Sequence, residues 1–273
     1  MGTRVATLLG RRLARTLADC SAQMADQNKI ERDEAREKAL VRQFLGDAGR
    51  GFFVEVGANE PASIHSQTWH LEQLGWTGIL IEPNRALAHE LVRKRPRSKV
   101  YNVACSSPEK IGTAELKIPL MADGKVDTGK AALETEIDHA GFPAYQTERV
   151  KVLTLDSILD ENRIDRIDLL SIDVEGTELD VLRGFNLERY RPRLILLEDK
   201  LVYLNKHRWL KTKGYRLVKR TLFNNWYIPM NEPFGMSSLK EKLVMFKKLY
   251  LGLLPRKIKE CLKMGNLRPL REL

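Results

Sequence analysis

The stretch that decides the fold is residues 51–84, GFFVEVGANEPASIHSQTWHLEQLGWTGILIEPN. It opens on a short apolar run, Phe52 to Val56, the length of a buried strand. Gly57 breaks the run, and Asn59 and Pro61 supply turn and helix-start chemistry. Ile64, Thr68, Leu71 and Gly75 then fall on one stripe of a helix. A second apolar run, Ile79 to Ile81, ends in Glu82. Strand, glycine turn, helix, strand, acid is the order of a βαβ unit, which binds a nucleoside at the carboxyl end of a parallel sheet.

The turn narrows which nucleoside. A dinucleotide site needs G-x-G-x-x-G, because the second glycine lets backbone approach the pyrophosphate. Counted from Gly57, that position is Asn59, whose side chain obstructs the approach and disfavours a nicotinamide oxidoreductase. A single glycine suits a nucleoside without phosphates, and S-adenosylmethionine (SAM) fits that description. Glu82 is placed to accept from both ribose hydroxyls, and Glu55 to face the ligand's ammonium or sulfonium charge. Taken singly, Gly57 reads as a tight turn and Glu82 as a strand-end acid. The two in this order, a βαβ unit apart, read as a nucleoside site.

Working outward, residues 29–47 predict a charged helix that buries Leu40, Val41, Phe44 and Leu45. Beyond Glu82, Pro83 and Asn84 turn into a helix with Leu87 and Leu91 one turn apart. Val100 to Ala104 predicts a third strand, with Asn102 and Ser106 placed to read adenine edges or to form a turn. Residues 106–147 form an excursion with a strand at Thr113 to Ile118 and a polar, glycine-containing remainder, expected to cover the acceptor. Val150 to Leu153 resumes strand character, and Thr154 is the expected cap of the next helix.

A second informative stretch is Ile167 to Phe185, IDLLSIDVEGTELDVLRGF. Its apolar run closes on Asp173, where α/β sheets place ligands. Glu175 and Glu178, three apart, are expected on one face of the following helix. Glu178 reads as an acid favouring the helix dipole, and Glu175 reads equally as that or as functional. Asp173 does not, because a carboxylate closing a buried strand needs a partner. Leu194 to Leu197 is a further buried strand ending in Glu198 and Asp199. Residues 214–218 and 222–228 read as an antiparallel edge pair. Residues 237–263 read as a basic amphipathic segment broken by Pro255.

Charge is uneven along the 273 residues. Residues 1–16 carry four Arg and no acid, and residues 236–273 carry ten Lys or Arg against three acids. With +10 overall, residues 17–235 are left near −1, which gives no footprint for nucleic acid. The expected division is a basic leader helix (1–28), an α/β domain (29–235) and a basic amphipathic extension (236–273). The two ends are candidates for peripheral contact with an anionic membrane or another acidic surface. No apolar run reaches the roughly 18 residues of a spanning helix. The leader lacks a well-formed signal-peptide core, and Ala at position 6 breaks the myristoylation pattern. Cys20, Cys105 and Cys261 are odd in number and far apart, which fits a reducing, cytoplasmic location on or near the inner membrane face.

The segments FFVEVGAN, GWTGILIEPN, NVACS, LTLDSIL, LLSIDVEGTELDVLRGF and LILLE occur in that order between about Gly51 and Ile228. Together they resemble the FkbM-type methyltransferases, a family of SAM-dependent O-methyltransferases. The resemblance implies a Rossmann-like class I α/β fold: a mostly parallel seven-stranded sheet with helices on both faces and an antiparallel last strand. It further implies SAM at Glu55, Gly57, Ala58, Asn59 and Glu82, with Asp173 and Glu175 at the reaction centre. His65 falls in a marked block of one branch of the family. Members methylate hydroxyls of sugars and polyketide-type products, so the expected acceptor is a hydroxyl of a glycan, glycolipid or related natural product. An alcohol needs a base, and the candidates are Asp173, Glu175, Glu198 and, behind them, His65. Asp173 is alternatively placed to hold the methionine amino group. The three acids are also candidates to gather a hard cation such as Mg²⁺. A reading from another class is a SAM-binding module with weak or no catalysis that docks through its basic ends.

Overall fold

In a computed structural model, residues 24–265 are described apart from 26, 47–48, 122, 134–141, 200 and 222. Of the expected leader helix (1–28), residues 1–23 and 26 lie outside the described residues. Strand β1 (Phe52–Val56) lies inside a seven-stranded sheet. It pairs in parallel with β2 (Thr77–Ile81) on one side and β8 (Leu169–Ile172) on the other. Strand β3 (Ser98–Tyr101) lies beyond β2, and β9 (Leu194–Glu198) lies beyond β8. Strands β11 (Asn224–Pro229) and β10 (Tyr215–Arg220) complete the order β3-β2-β1-β8-β9-β11-β10. Strand β11 runs antiparallel to both neighbours. The expected antiparallel edge pair is present, with β10 outermost and β11 between it and β9. The inner place of β11 is visible in its side chains, since Trp226, Tyr227 and Ile228 are fully buried.

The alternation of side chains along each strand divides the core in two. Val54, Val56, Ile79, Ile81, Leu170, Ile172, Ile195 and Leu197 pack on one face. They meet Leu155 and Ile158 of α4 (Leu155–Glu161), Leu182 of α5 (Glu178–Arg183), Tyr190 of α6 (Leu187–Tyr190) and Leu210 of α7 (Asn205–Thr212). Phe53, Leu80, Leu169 and Leu196 pack on the other face. There they meet Val41 and Leu45 of α1 (residues 27–45), Leu71 of α2 (Trp69–Glu72) and Leu91 of α3 (Arg85–Lys94). Helix α1 is tied down by the buried Glu37, which accepts from Asn224 Nδ2 at 2.9 Å and Trp226 Nε1 at 3.0 Å.

Two expected elements differ. The stripe from Ile64 to Gly75 forms only the four-residue α2, because residues 66–68 are spent on hydrogen bonds to Glu55. The third strand stops at Tyr101, and Ala104–Cys105 becomes β4 of a separate sheet. The break falls at Asn102, whose Nδ2 donates to the Glu82 and Pro83 carbonyls at 2.9 and 2.8 Å.

That separate sheet is built from the excursion. Strands β5 (Gly112–Leu120) and β7 (Ala144–Leu153) form a long antiparallel pair, with β4 beside β7 and β6 (Ala132–Leu133) beside β5. Leu116, Ile118, Leu133, Val150 and Val152 give it a small core of its own. Thr154 caps α4 as expected, accepting from Ser157 N.

The C-terminal segment is helical: α8 (Leu239–Phe246), a π-turn at Lys247–Leu251, and α9 (Leu253–Met264). Ser238 and Glu241 close α8 with a capping box. Pro255 does not break the segment. It sits in the first turn of α9, where no intrahelical N–H bond is lost, and the bend falls at Gly252. Leu249 is buried against Leu201 and Leu204 and anchors the segment to the sheet domain.

Candidate active site

The register of four parallel strands sets the site. Ile81, Val56, Ile172 and Leu197 stand side by side on β2, β1, β8 and β9. The next residue on each strand is therefore Glu82, Gly57, Asp173 and Glu198, one row across the carboxyl edge. The strand order reverses about β1, and in such sheets the crevice at that point takes the ligand.

Gly57 makes the row possible. Its φ is +85°, and a Cβ there would lie 1.7 Å from the Asp173 carbonyl oxygen. No other residue lets β1 and β8 stay this close at their ends. Asn59 also adopts a left-handed conformation, φ 46°. Its backbone N–H donates to Glu82 Oε2 at 2.8 Å, while Asn84 N–H donates to Glu82 Oε1 at 2.8 Å. Glu82 is thus fixed by backbone, and each oxygen keeps a lone pair for a further donor. Burial pushes its carboxyl up to about 7; the Asn84 and Asn59 bonds oppose this, and Glu148 and Glu55 add to it.

Asp173 reaches solvent in the crevice. Protein packed around it still strips much of its hydration, and this is the largest cause of a carboxyl held well above its ordinary range. Like charge from Glu198 and then Glu175 adds to the shift, as does a hydrogen bond with Glu198. Two carboxylates bond to each other only when one holds a proton, so Asp173 and Glu198 titrate as a unit. The expected partner of Asp173 is therefore another acid.

The crevice encloses about 620 Å³, part of it open, and the second sheet forms its other wall. Gly57, Asn59, Glu82, Asp173 and Glu175 supply the polar side. Val103, Ala104, Cys105, Leu116, Ala132 and Leu133 supply an apolar slot. Burial pushes the Cys105 thiol up to about 12, so it is an apolar wall and not a nucleophile.

Several expected roles are corrected. Glu55 does not line the crevice. It shares the sheet face of Phe53 and accepts from Gln67 N at 2.8 Å and Thr68 Oγ1 at 2.5 Å, with Arg95 Nη1 at 4.0 Å. Ala58 packs in the core beside Phe53 and Leu71. Asn102 is spent on the Glu82 and Pro83 carbonyls that follow β2, and Ser106 is buried outside the lining. The backbone from Val103 to Cys105 stands where those two were expected to read the base. Glu175 is not on a helix: α5 begins at Glu178, and Glu175 sits in the preceding loop with φ 51°. Glu178 does more than favour a dipole, accepting from Gly176 N at 2.8 Å and pairing with Lys206 at 2.9 Å. Among the described residues no cluster of three or more His, Cys, Asp or Glu is placed to hold a metal ion.

His65 lies in a neighbouring open depression, with Nδ1 2.8 Å from Glu34 Oε1. That depression shares Asn59, Thr128 and Gly129 with the crevice. The residues missed in sequence are Leu116 of β5, Ala132 and Leu133 of β6, and Thr128, Gly129 and Ala131 just ahead of β6. Their only signal is that a long polar excursion in a compact domain tends to be functional.

The site fits an adenosyl sulfonium ligand. It offers an acid with spare acceptor capacity, an apolar slot, and no glycine-rich cradle for phosphate. Asn59 Oδ1 is buried in the lining with no hydrogen-bond partner among the described residues, an acceptor open to a donor.

A family model described as the methyltransferase FkbM domain matches residues 55–217. The match covers more than half of the chain, which therefore belongs to that family. Among solved structures, the crystal structure of methyltransferase FkbM from Methylobacillus flagellatus KT is 15% identical, with a TM-score of 0.42. The match covers 66% of this chain and 44% of that one, so the chain spans less than half of that protein's length. No curated protein matches.

Proposed function

We propose, from membership in the FkbM methyltransferase family, that the chain is a SAM-dependent O-methyltransferase acting on a hydroxyl of a glycan, glycolipid or related natural product. One observation carries the reading: the strand register lines up Glu82, Gly57, Asp173 and Glu198 along one crevice edge. Glu82 holds the ribose hydroxyls, and Asn59 Oδ1 accepts from the ligand's amino group. Val103, Ala104, Leu116, Ala132 and Leu133 bury the base and keep water from it. When bound, SAM supplies an electrophilic methyl group on a sulfonium. The chain's task is to orient the acceptor oxygen, which can supply about 7–11 kcal/mol of the barrier. Its second task is to take the hydroxyl proton, and the Asp173–Glu198 pair does so with a carboxylate made more basic than usual.

The adjoining depression supports a hydroxyl-rich acceptor. Asn59, Glu60, His65, Asp123, Lys125 and Asp127 line it with hydrogen-bonding groups. Incubation with methyl-labelled SAM and a panel of glycans and glycolipids tests the reading. Label on an acceptor hydroxyl supports it. SAM binding with no transfer to any hydroxyl leaves a SAM-binding module and contradicts catalysis.

A further inference from the structure

The C-terminal helices carry two apolar stripes that the sheet domain does not cover. On α8 and the π-turn, Leu239, Leu243, Phe246 and Tyr250 recur at spacings of four, three and four, all exposed. The Phe246 and Tyr250 rings lie 4.9 Å apart, which places them on one surface. On α9, Leu254, Ile258 and Leu262 recur every fourth residue, with Leu262 80% exposed. Among the described residues of the segment, Leu249, Lys257 and Cys261 are buried, so it docks on the domain by that side and leaves both stripes to solvent.

The stripes lie in a basic field. Residues 239–264 carry eight Lys or Arg against two Glu, a net +6. Lys240 and Lys248, with Lys219 and Arg220 of β10, also line a depression against Val244 and Met245. The charge of Lys219 is met by Glu241 at 2.7 Å. Burial, then Arg220 and Arg256, lowers Lys248 to about 8, so an anion brought near would hold its proton in place.

We infer that this face is a membrane-docking surface for anionic lipid: the two stripes enter the acyl boundary and the flanking lysines meet the headgroups. The helices lie on the bilayer and do not cross it, since no helix among the described residues is long and apolar enough to span. A second copy of this chain is the poorer occupant, because it would bring a like net charge of +6 against the same face. The inference is independent of the methyltransferase reading, as vesicle binding is measured without turnover.

The test is co-sedimentation of the full chain with vesicles of phosphatidylcholine alone and with phosphatidylserine added. The expected result is binding at least about tenfold tighter to the anionic vesicles, falling as salt is raised. Leu243→Ser with Phe246→Ser should weaken it about tenfold or more, and Lys242→Glu with Lys247→Glu about fivefold or more per lysine. These side chains are exposed, so the thermal midpoint should not move. Unchanged binding in both variants would place the contact elsewhere on the chain and overturn the inference. So would the absence of anionic preference. A stable dimer in sedimentation equilibrium that Leu243→Ser with Phe246→Ser dissociates, with no vesicle binding, would make the face a contact between copies instead.

Discussion

Two groups of acids pack against the same sheet, one buried and one open to the crevice, and do opposite things. Glu55 and Glu72 sit on the face of Phe53 around Arg95, a guanidinium with no solvent exposure. Arg95 Nε donates to Glu72 at 2.5 Å, Nη2 to Thr68 Oγ1 at 2.9 Å, and Nη1 to the Pro61 carbonyl at 3.2 Å. Asp173, Glu175 and Glu198 gather at the crevice, and what the structure sets beside Asp173 is more acid. The first group is compensated inside the chain. The second sets acid beside Asp173, and in the proposed function a cationic ligand or a proton answers that charge. The difference teaches that an acid at a strand end is structural or functional according to which face and which neighbour it has.

The widest separation should come from removing the cation of the compensated group. Arg95→Ala leaves Glu72 and Glu55 buried without their guanidinium, and should cost about 3–5 kcal/mol of stability in denaturant unfolding. A loss under about 1 kcal/mol would break the comparison, because the network would then not be holding its acids.

The crevice should respond in the opposite sense. Asp173→Asn should lower turnover by about 10²–10⁴-fold, the worth of a positioned base. Its stability should hold or rise. The native carboxyl lies above its ordinary 3.8, so the folded chain keeps a proton that the unfolded chain releases. Wild-type stability therefore falls as pH rises from the ordinary value through the raised one. Asparagine carries no such dependence, so the variant should gain on the wild type as pH increases. Thermal melts across that range decide it, and equal losses of fold and rate would give Asp173 a structural role.

Glu82 stands between the two groups, buried yet reachable. Glu82→Ala should weaken SAM binding by about 1.5–3 kcal/mol for each charge-assisted hydrogen bond lost. With its carboxyl near 7, wild-type affinity should climb up to about tenfold between roughly pH 6 and pH 8, as the ionised acceptor becomes the main form. Flat affinity in calorimetry over that interval would take Glu82 off the ribose. The smallest effect belongs to His65, which lies beside the crevice: His65→Ala should change turnover by no more than about threefold. A loss approaching that of Asp173→Asn would move the base into the depression.

How much of this was legible in sequence follows from period and register. Strands β1, β2, β8 and β9 are short apolar runs with no competing pattern, and each is where the sequence places it. Their next residues form the row at the crevice, so Gly57, Glu82, Asp173 and Glu198 could be read without coordinates. Glu55 could not, because the face of a strand residue depends on which face the ligand takes. The pattern that placed it beside the turn is equally that of a residue aligned with Phe53. Arg95 gave no signal at all: it stands in RKRPR, a run that reads as solvated charge. Helix α2 came out short because side-chain acceptors on Glu55, contributed from a different element, took the N–H and hydroxyl groups of residues 66–68. The second sheet was hidden by its pairing, since β5 and β7 are partners separated by a polar stretch without apolar period.

In the proposed function a phosphate-free adenosyl ligand lies across the row that β2, β1, β8 and β9 build. A crystal structure with S-adenosylhomocysteine tests it most directly. Both ribose hydroxyls should lie within hydrogen-bond distance of the Glu82 carboxylate, and the homocysteine sulfur on the side of Asp173. Density for the compound anywhere else, or none at saturating concentration, would contradict it.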